Sequence, residues 1–513
     1  MPNTPHFSTS LMSWRGDALA LICGTLLPLA FSPFDISVVA ILAPAVLFFL
    51  WLHVSPRRAL WRGLLFGLGM FGVGVTWIYV SIYEFGGVSL PLSIFLMTLF
   101  VIVLAWFPAL LGYFVTRFFP APISAQIVAS KLLLIYPAAW VLFEWMRGWF
   151  LTGFPWLYLG HSQIDTPLAG LSPVLGVYGV SWATAFSAGL IVLVILNICG
   201  TVSRLRYIAA PLAIGVVIWI TAGLLNMQQW TQPIGAPLKV SLIQGNIAQD
   251  VKWTPDVLVP TLELYLRLTR EHWDSDLIVW PETAMPLFYH EAKTFVDGLA
   301  KEARDNSADV LLGLPVLDER TQRYYNSMMS VGSHAAFYHK SHLVPFTEYL
   351  PLKSVLTGVV DFLQVPMSDF SKGDADQRPL AVAGQKAAIS ICYEAVFGEE
   401  VIRQLPEATF LVNVSNDAWF GGSIGPHQHL QISRMRALET GRPLLRTTNT
   451  GITAIVAPNG KLQALAKQFE VQVLTGTIQP MSGATPYVRI GNLPVVVILV
   501  LVLGLAMLAE RLR

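Results

Sequence analysis

Three short strings in this 513-residue chain contain residue types that together could carry out nucleophilic catalysis. A glutamate lies in VWPETAM (Glu282), a lysine in YHKSHLVPFTEYLP (Lys340) and a cysteine in AISICYEAVFG (Cys392). A thiol with an ordinary pKa of about 8.5 is mostly protonated at neutral pH, so it needs a neighbouring base or cation. Glu282 could accept the thiol proton, and Lys340 could stabilise an oxyanion. Each residue alone has a commonplace explanation, and only the three in this order indicate a catalytic set.

Cys392 is the only cysteine in the more highly charged second half of the chain. The other two, Cys23 and Cys199, fall in or beside apolar stretches, so no disulfide is predicted within the second half. A buried structural thiol is the commoner explanation for such a cysteine. A reactive thiol is the alternative.

Composition divides the chain into an apolar first part and a more charged second part, which contains all three of these residues. The whole sequence is 54% hydrophobic and only 13% charged, with a mean hydropathy of +0.57, which is too apolar for an ordinary soluble protein. The apolar excess lies before Pro237, and the remainder has an ordinary charge content. The net charge of +1 gives no reason to propose nucleic acid as a partner.

Apolar stretches predict about eight transmembrane helices, because a helix needs about 20 mostly apolar residues to cross a bilayer. The stretches are 19–32, 36–54, 63–83, 88–116, 132–150, 171–199, 207–225 and 490–509, of which the first is short and the fifth carries Glu144 and Arg147. Those two charges could bind a lipid headgroup or pair with each other. We therefore predict a membrane domain over 1–230, an exported catalytic domain over 237–488, and a C-terminal transmembrane helix with a cytoplasmic tail over 490–513.

The basic residues between these stretches predict the orientation, because Lys and Arg remain preferentially on the cytoplasmic side of short loops. The basic residues that fall on one side are Arg15, Arg57, Arg58, Arg62, Arg117, Lys131, Arg204 and Arg206. Seven crossings then deliver Pro237 onward to the opposite side. Arg511 and Arg513 return to the cytoplasm.

The second half alternates short β-branched runs with charged helical segments, which predicts an α/β domain with a mixed sheet and flanking helices. The predicted strands are 239–244, 276–280, 310–314, 327–331, 335–338, 387–392, 410–414, 452–457 and 471–477, and the predicted helices are 257–272, 292–306 and 428–440. Gly332 between two of the strands predicts a hairpin. The apolar segment 345–370 is either a lid or a pair of packed helices.

The order Glu, Lys, Cys resembles the catalytic triad of the nitrilase superfamily, and the match covers most of 237–488. Together with the apolar stretches, the strings GFPWLYLGHSQID, SNDAWFG and RALETGRPLLRTTNTGIT make nearly the full length similar to the bacterial apolipoprotein N-acyltransferases. The resemblance implies a nitrilase-type αββα sandwich in the periplasm, a multi-pass anchor in the bacterial inner membrane, and no metal or cofactor. It also implies a ping-pong reaction in which Cys392 takes an acyl chain from the sn-1 position of a phospholipid, typically phosphatidylethanolamine, as a thioester. The acyl chain would then pass to the α-amino group of the diacylglyceryl-cysteine that begins an apolipoprotein.

The resemblance also implies supporting roles for five residues. They are Glu348, Tyr393, Glu394, Trp253 and Asn326, of which Glu348 is expected to orient Lys340 or the acyl acceptor. The chain departs from many relatives at Thr347, where glycine is common, and at His339 and Ser341 beside the lysine.

Other functions remain open at this stage. His427 and His429 form an HxH string, but the nearby residues do not supply a complementary set of metal ligands, so a metal site is disfavoured. A membrane-tethered amidase that hydrolyses a small amide would use the same triad, although eight spans are excessive for a tether. A transporter or lipid-binding scaffold with an inactive catalytic domain is disfavoured because the spans contain almost no ionisable residues.

Overall fold

The computed structural model describes residues 13–120, 125–199, 206–350 and 369–512. The chain divides into two compact units. The first, called the helical unit here, comprises the residues through Thr76, Ile94–Gln228 and the residues from Ile490 onward. The second, called the α/β unit, comprises Trp77–Ser93 and Gln229–Arg489.

The helical unit is built from helices joined by turns and loops, and helices also cover both outer faces of the α/β unit. In chain order they are α1 (Trp14–Leu26), α2 (Val39–Trp51), α3 (Pro56–Gly74), α4 (Trp77–Val80), α5 (Leu90–Phe118), α6 (Ala125–Ser130), α7 (Tyr136–Arg147), α8 (Ser172–Ile198), α9 (Arg206–Leu225), α10 (Pro255–Arg270), α11 (Tyr289–Asp305), α12 (Gly398–Val401), α13 (Gly425–Thr440), α14 (Pro486–Ile490) and α15 (Leu493–Arg511). Single π-helical turns occur at Ser81–Phe85 and Lys131–Ile135. Short 3-10 turns occur at Leu27–Ala30, Phe150–Thr152, Leu159–Gln163, Pro167–Leu171, Cys392–Val396, Ile402–Gln404 and Asp417–Phe420.

Five helical stretches in the described part of the chain are long and apolar enough to cross a membrane. They are Leu90–Phe118, Gln126–Arg147, Pro167–Ile198, Ile208–Leu225 and Leu493–Arg511, and a sixth results if Pro56–Gly74 and Trp77–Phe85 form one span. The first predicted stretch overlaps α1 and the second contains α2, and each of these helices has 13 residues. The helix of the first stretch ends at Leu26 and a 3-10 turn that contains Pro28 follows, since proline has no N–H with which to extend the α-helical hydrogen bonds. The predicted number of eight is therefore not confirmed.

Glu144 and Arg147 hold the backbone that follows α7. Glu144 Oε1 accepts hydrogen bonds from the Trp140 indole at 3.0 Å and from the backbone N–H of Leu159 at 2.9 Å. Arg147 Nη1 donates to the carbonyl oxygen of Phe154 at 2.8 Å. A buried charge is costly unless it is hydrogen-bonded, and here an indole and backbone groups supply partners to the two side chains.

The α/β unit contains two six-stranded sheets and one small ribbon. The strands are β1 (Gln232–Pro233), β2 (Leu238–Gln244), β3 (Leu277–Val279), β4 (Asp309–Asp318), β5 (Arg323–Val331), β6 (Ala336–His339), β7 (Leu380–Val382), β8 (Gln385–Ile391), β9 (Phe410–Ser415), β10 (Leu444–Thr448), β11 (Ala454–Val456), β12 (Leu462–Leu465), β13 (Gln472–Ile478) and β14 (Met481–Ser482). The first sheet has the order β13-β2-β3-β4-β5-β6, with β2, β3 and β4 parallel, and the second has the order β12-β11-β10-β9-β8-β7, with β8, β9 and β10 parallel. β1 pairs only with β14.

The two sheets pack face to face and each carries helices on its other face. Alternate residues of a strand point to opposite faces, so Val240 and Leu242 of β2 enter the layer between the sheets, where Val412 of β9 also lies. Ile243 faces outward, where it packs in a second core with residues of α10 and α11. A third core joins β8, β9, β10 and β11 to α13, for example through Leu430. The unit is therefore an α/β sandwich with four layers in the order α-β-β-α.

All nine predicted strands overlap observed strands, and the hairpin is confirmed because β5 and β6 pair antiparallel. Three sheet strands were not predicted, namely β7, β10 and β12. β7 and β12 are three and four residues long. β10 reads LLRTT, and its polar residues disguise a strand that is buried along its whole length. Most of the apolar segment 345–370 lies outside the described residues.

A glycine in β4 lets the loop that carries Glu282 approach the sheet closely. A Cβ atom at Gly313 would lie 2.5 Å from the carbonyl oxygen of Pro281, 2.6 Å from the backbone nitrogen of Thr283 and 2.9 Å from the Cα of Glu282. Real Cβ atoms do not approach backbone atoms this closely, so any larger residue at position 313 must displace the loop.

We predict that Gly313→Ala destabilises the α/β unit by about 1 to 3 kcal/mol, the usual cost of overpacking. The matched control is Gly298→Ala in α11, where a Cβ atom meets nothing within 4 Å, and alanine should stabilise the helix by up to about 1 kcal/mol. Thermal unfolding of the detergent-solubilised proteins measures both effects. Equal melting temperatures for the two variants would contradict the prediction.

Candidate active site

The three predicted catalytic residues each follow the end of a strand. Lys340 comes directly after β6, Cys392 directly after β8, and Glu282 three residues after β3. A residue just beyond the end of a strand is positioned by the sheet. This arrangement suits residues that must be both fixed and reactive.

Lys340 is the electrostatic centre of the site. Its Nζ lies 2.9 Å from Glu348 Oε2 and 3.4 Å from Glu282 Oε1, and its side chain is only 1% exposed. Burial alone would lower the pKa of this ammonium group, but the two carboxylates outweigh burial and raise the pKa above its ordinary value. Lys340 therefore carries a permanent positive charge.

Asn326 links the two carboxylates. Its Nδ2 donates to Glu282 Oε1 at 2.7 Å and to Glu348 Oε1 at 3.0 Å. The other oxygen of Glu348 accepts from the backbone N–H of Val344 at 2.8 Å. Of the supporting residues proposed from sequence, the structure thus brings Glu348 and Asn326 into direct contact with the Glu282–Lys340 pair.

Two neighbours of Glu282 were not proposed from sequence. The backbone N–H of Asn416, directly after β9, donates to Glu282 Oε2 at 2.8 Å, so both carboxylate oxygens accept a hydrogen bond. Lys252 Nζ lies 3.4 Å from the carbonyl oxygen of Glu282. Burial lowers the pKa of Lys252 to about 8, although the charge of Glu282 opposes the shift. A backbone donor such as the N–H of Asn416 leaves no signal in the sequence. Lys252 does have one, because it lies directly before Trp253, which was proposed from the sequence.

Cys392 has an unusual backbone conformation. Its φ of 52° lies in the left-handed region, which costs a non-glycine residue about 1 kcal/mol or more. Its carbonyl oxygen accepts from Asn413 Nδ2 at 3.4 Å and lies 3.1 Å from His429 Nε2. Burial and the charge of Glu282 raise the pKa of the Cys392 thiol to about 12, although Lys340 opposes the shift. The resting sulfur is therefore a thiol, and a base must remove its proton.

His429 belongs to a buried network behind the cysteine. His429 Nε2 donates to the carbonyl oxygen of Cys392, and Nδ1 lies 3.0 Å from Arg446 Nη2. Burial and the charge of Arg446 lower the pKa of His429. Arg446 also donates to Asp417 Oδ2 at 2.7 Å. Burial alone would raise the pKa of Asp417, but Arg446 and His429 hold it well below its usual range. Among the described residues, no group of three His, Cys, Asp or Glu side chains could hold a metal ion.

Glu394 joins the loop of Lys340 to the strand of Cys392. Its carboxylate accepts from the backbone N–H groups of Ile391 at 2.7 Å, Ser341 at 2.6 Å and His342 at 3.1 Å, and from the hydroxyl of Tyr338. Burial raises the pKa of Glu394, and these hydrogen bonds oppose the shift. Glu394 is thus a positioning residue that ties the two segments together.

The remaining two proposed residues are Trp253 and Tyr393. Trp253 is 55% exposed. The Tyr393 ring is buried and packs against Phe397 and His342, with centroid distances of 5.1 Å and 5.7 Å. Their functional roles stay predictions.

Comparison with known proteins relates each half of the chain to a described family. Residues 23–190 match the family described as the apolipoprotein N-acyltransferase N-terminal domain, and residues 239–487 match the carbon-nitrogen hydrolase family. The chain is 46% identical to the apolipoprotein N-acyltransferase of Methylococcus capsulatus, covering 96% of each chain. It is 42% identical to that of Coxiella burnetii, covering 96% of this chain and 99% of the relative. A carbon-nitrogen hydrolase of known structure from Helicobacter pylori is similar at 16% identity and a TM-score of 0.35, covering 47% of this chain and 89% of that one.

We predict that the alkylation rate of Cys392 rises with pH without a plateau near pH 8.5. Because its pKa is raised to about 12, the thiolate fraction should increase about tenfold per pH unit between about pH 7 and about pH 10. Glu282→Gln removes the negative charge that raises this pKa, so the profile should move to lower pH. Iodoacetamide labelling, read at the Cys392 peptide by mass spectrometry, measures both profiles.

The control for charge removal is Glu271→Gln, because Glu271 is exposed on the surface and pairs with Arg267. This variant should keep the parent profile. A parent profile that levels off near pH 8.5, or an unchanged profile in Glu282→Gln, would show that the thiol does not interact with Glu282 as described.

Proposed function

Because this chain belongs to the apolipoprotein N-acyltransferase family, we propose that it moves a fatty acyl chain from a phospholipid to an apolipoprotein through a thioester on Cys392. The donor is the sn-1 ester of a phospholipid such as phosphatidylethanolamine, and the acceptor is the α-amino group of the N-terminal S-diacylglyceryl-cysteine. The observation that carries the proposal is the buried Lys340 ammonium between Glu282 and Glu348, whose field acts on the Cys392 sulfur.

In the first half-reaction, Glu282 accepts the proton of the Cys392 thiol and the sulfur attacks the ester carbonyl carbon. The carbonyl oxygen becomes negatively charged in the tetrahedral intermediate, and the Lys340 ammonium stabilises it together with a backbone N–H beyond Cys392. When the carbon–oxygen bond breaks, Glu282 returns its proton to the departing glycerol oxygen. The products are a lysophospholipid and the Cys392 thioester.

In the second half-reaction, the acceptor enters as the neutral amine, and Glu282 accepts a proton from its nitrogen as the new bond forms. The nitrogen attacks the thioester carbonyl carbon, and Lys340 again stabilises the oxyanion. The carbon–sulfur bond then breaks, the sulfur regains its proton from Glu282, and an amide remains on the acceptor. The same three groups serve both steps, which is why a ping-pong sequence needs no further catalyst.

The membrane arrangement is part of this proposal. We place the membrane domain at 1–230 with about seven spans, the catalytic domain at 237–488 in the periplasm, and a C-terminal span with a cytoplasmic tail at 490–513. The support consists of the five apolar helices that could cross a bilayer and the one-sided distribution of the basic residues. A bacterial inner membrane supplies the phospholipid donor.

A membrane-tethered amidase remains the second candidate, because a carbon-nitrogen hydrolase triad could equally release ammonia from a small amide. The apolar helical unit favours the acyltransferase, since its extent suits an enzyme whose substrate is lipid. The two functions differ in whether phospholipid is consumed.

We predict that purified enzyme incubated with phosphatidylethanolamine labelled in its sn-1 chain accumulates label on Cys392. A thioester is cleaved by neutral hydroxylamine, so this treatment should release the label. Addition of a diacylglyceryl-cysteine peptide should move the label to the peptide within one turnover. Mass spectrometry of the Cys392 peptide and of the acceptor measures each stage.

Cys392→Ala should abolish the label, whereas Cys199→Ser should retain it, because Cys199 lies outside the α/β unit. Lys340→Met should reduce the acylation rate by about 100-fold to 1000-fold, as expected for the loss of an oxyanion donor. Release of ammonia without consumption of lipid would favour the amidase, and an unlabelled Cys392 in an active enzyme would refute the thioester.

A further inference from the structure

The segment Trp77–Phe85 lies far from the catalytic residues in sequence but belongs to the α/β unit. It consists of α4 and the π-helical turn Ser81–Phe85. Single π-helical turns are rare and occur frequently at functional sites. None of the catalytic or supporting residues predicted from the sequence lies in this segment.

Its contacts fall on the 3-10 turn Asp417–Phe420 and on the beginning of α13. Ser81 Oγ donates to the carbonyl oxygen of Trp419 at 2.7 Å, and the Trp77 indole donates to Gln428 Oε1 at 3.2 Å. The Trp77 and Phe420 rings meet edge to face with their centroids 4.7 Å apart. The segment thus holds the turn by one short hydrogen bond and by aromatic packing.

Two glycines in the α/β unit permit this close approach. A Cβ atom at Gly421 would lie 3.2 Å from Val80 Cγ1, and one at Gly425 would lie 3.0 Å from Trp77 Cγ. Gly421 also has a φ of 52°, which L-residues rarely adopt. The chain therefore turns tightly against the segment at both ends of the contact.

The other side of the same turn supports the catalytic residues. The N–H of Asn416, which precedes the turn, donates to Glu282 at 2.8 Å. Asp417, the first residue of the turn, lies 3.2 Å from His429 Nδ1, and His429 Nε2 donates to the carbonyl oxygen of Cys392. A displacement of the Trp419 side of this four-residue turn must therefore also shift the backbone that contacts Glu282.

We propose that Ser81 and Trp77 are positioning residues for acyl transfer. They act on the catalytic base Glu282 through the 3-10 turn Asp417–Phe420 and the adjoining Asn416. Ser81 acts through the carbonyl group of Trp419, and Trp77 acts through Phe420 and Gln428. The reaction itself rests on the proposed function. The positioning contact is independent of which acyl donor the enzyme uses.

The kinetic expectation is a loss in kcat with little change in KM for the phospholipid. Ser81→Ala and Trp77→Phe each remove one donor, and a misplaced base typically costs about 10-fold to 100-fold in rate. Ser81→Thr keeps the hydroxyl group and should restore most of the activity. Ser93→Ala is the matched control, because the Ser93 hydroxyl bonds the backbone carbonyls of Val88 and Ser89 nearby in sequence.

A double-mutant cycle on Cys392 alkylation tests the route of the effect without any lipid. If Ser81→Ala frees Glu282 from its fixed place, the thiol loses part of the negative field that suppresses its ionisation, and iodoacetamide should react about 3-fold to 10-fold faster at about pH 8. In a Glu282→Gln background the same substitution should then add nothing. Thermal unfolding of each variant checks that the comparison is made between folded proteins.

Equal acceleration in the parent and in Glu282→Gln would overturn the proposal, because the effect would then bypass the base. Unchanged alkylation and unchanged kcat in Ser81→Ala would overturn it as well. Failure of the acyl-labelling experiment would instead refute the acyltransferase function, and the alkylation cycle would still decide whether Ser81 positions Glu282.

Discussion

The buried ammonium of Lys340 imposes the main constraint on the α/β unit. A charge without water is tolerated only when opposite charges and hydrogen bonds replace its hydration, so both Glu282 and Glu348 must lie within about 4 Å of it. Two carboxylates near one ammonium need donors of their own, which Asn326 and the backbone N–H groups of Asn416 and Val344 supply. The site is thus a closed set of charges and donors.

Hydrogen bonds from buried side chains also fix the strained backbone of Cys392. Its left-handed backbone is held at the carbonyl oxygen by Asn413 and His429, and His429 in turn contacts Arg446. Glu394 fixes the adjoining strand end and the Lys340 loop together. The raised pKa keeps the Cys392 thiol protonated at neutral pH, so the sulfur reacts slowly with solutes.

The sequence predicted Glu282, Lys340 and Cys392 as the catalytic set, because each lies in a short string beside a clear β-branched run. It also predicted nine strands of the sandwich. It did not reveal β10, because Arg446, Thr447 and Thr448 are residue types typical of a surface. The fold buries them and brings Asp417 and Asn413 against Arg446. Asn416 was missed since it contributes its backbone N–H. The first predicted span starts five residues after α1 begins and runs beyond its end, and the second is longer than α2, because apolar composition does not register where a helix begins and ends.

Distances along the chain decide when the site can form. Lys340 and Glu282 are 58 residues apart, Asn416 and Glu282 are 134 apart, and Ser81 and Trp419 are 338 apart. Closing a loop costs conformational entropy before its contacts repay it, and contacts this long-ranged form late. Until β9 has docked beside β8, Glu282 lacks the N–H of Asn416, and Cys392 lacks the partners of its carbonyl oxygen. The surroundings of Cys392 and Glu282 are therefore assembled only when the sandwich is complete, so that a partly folded chain would hold neither side chain in place.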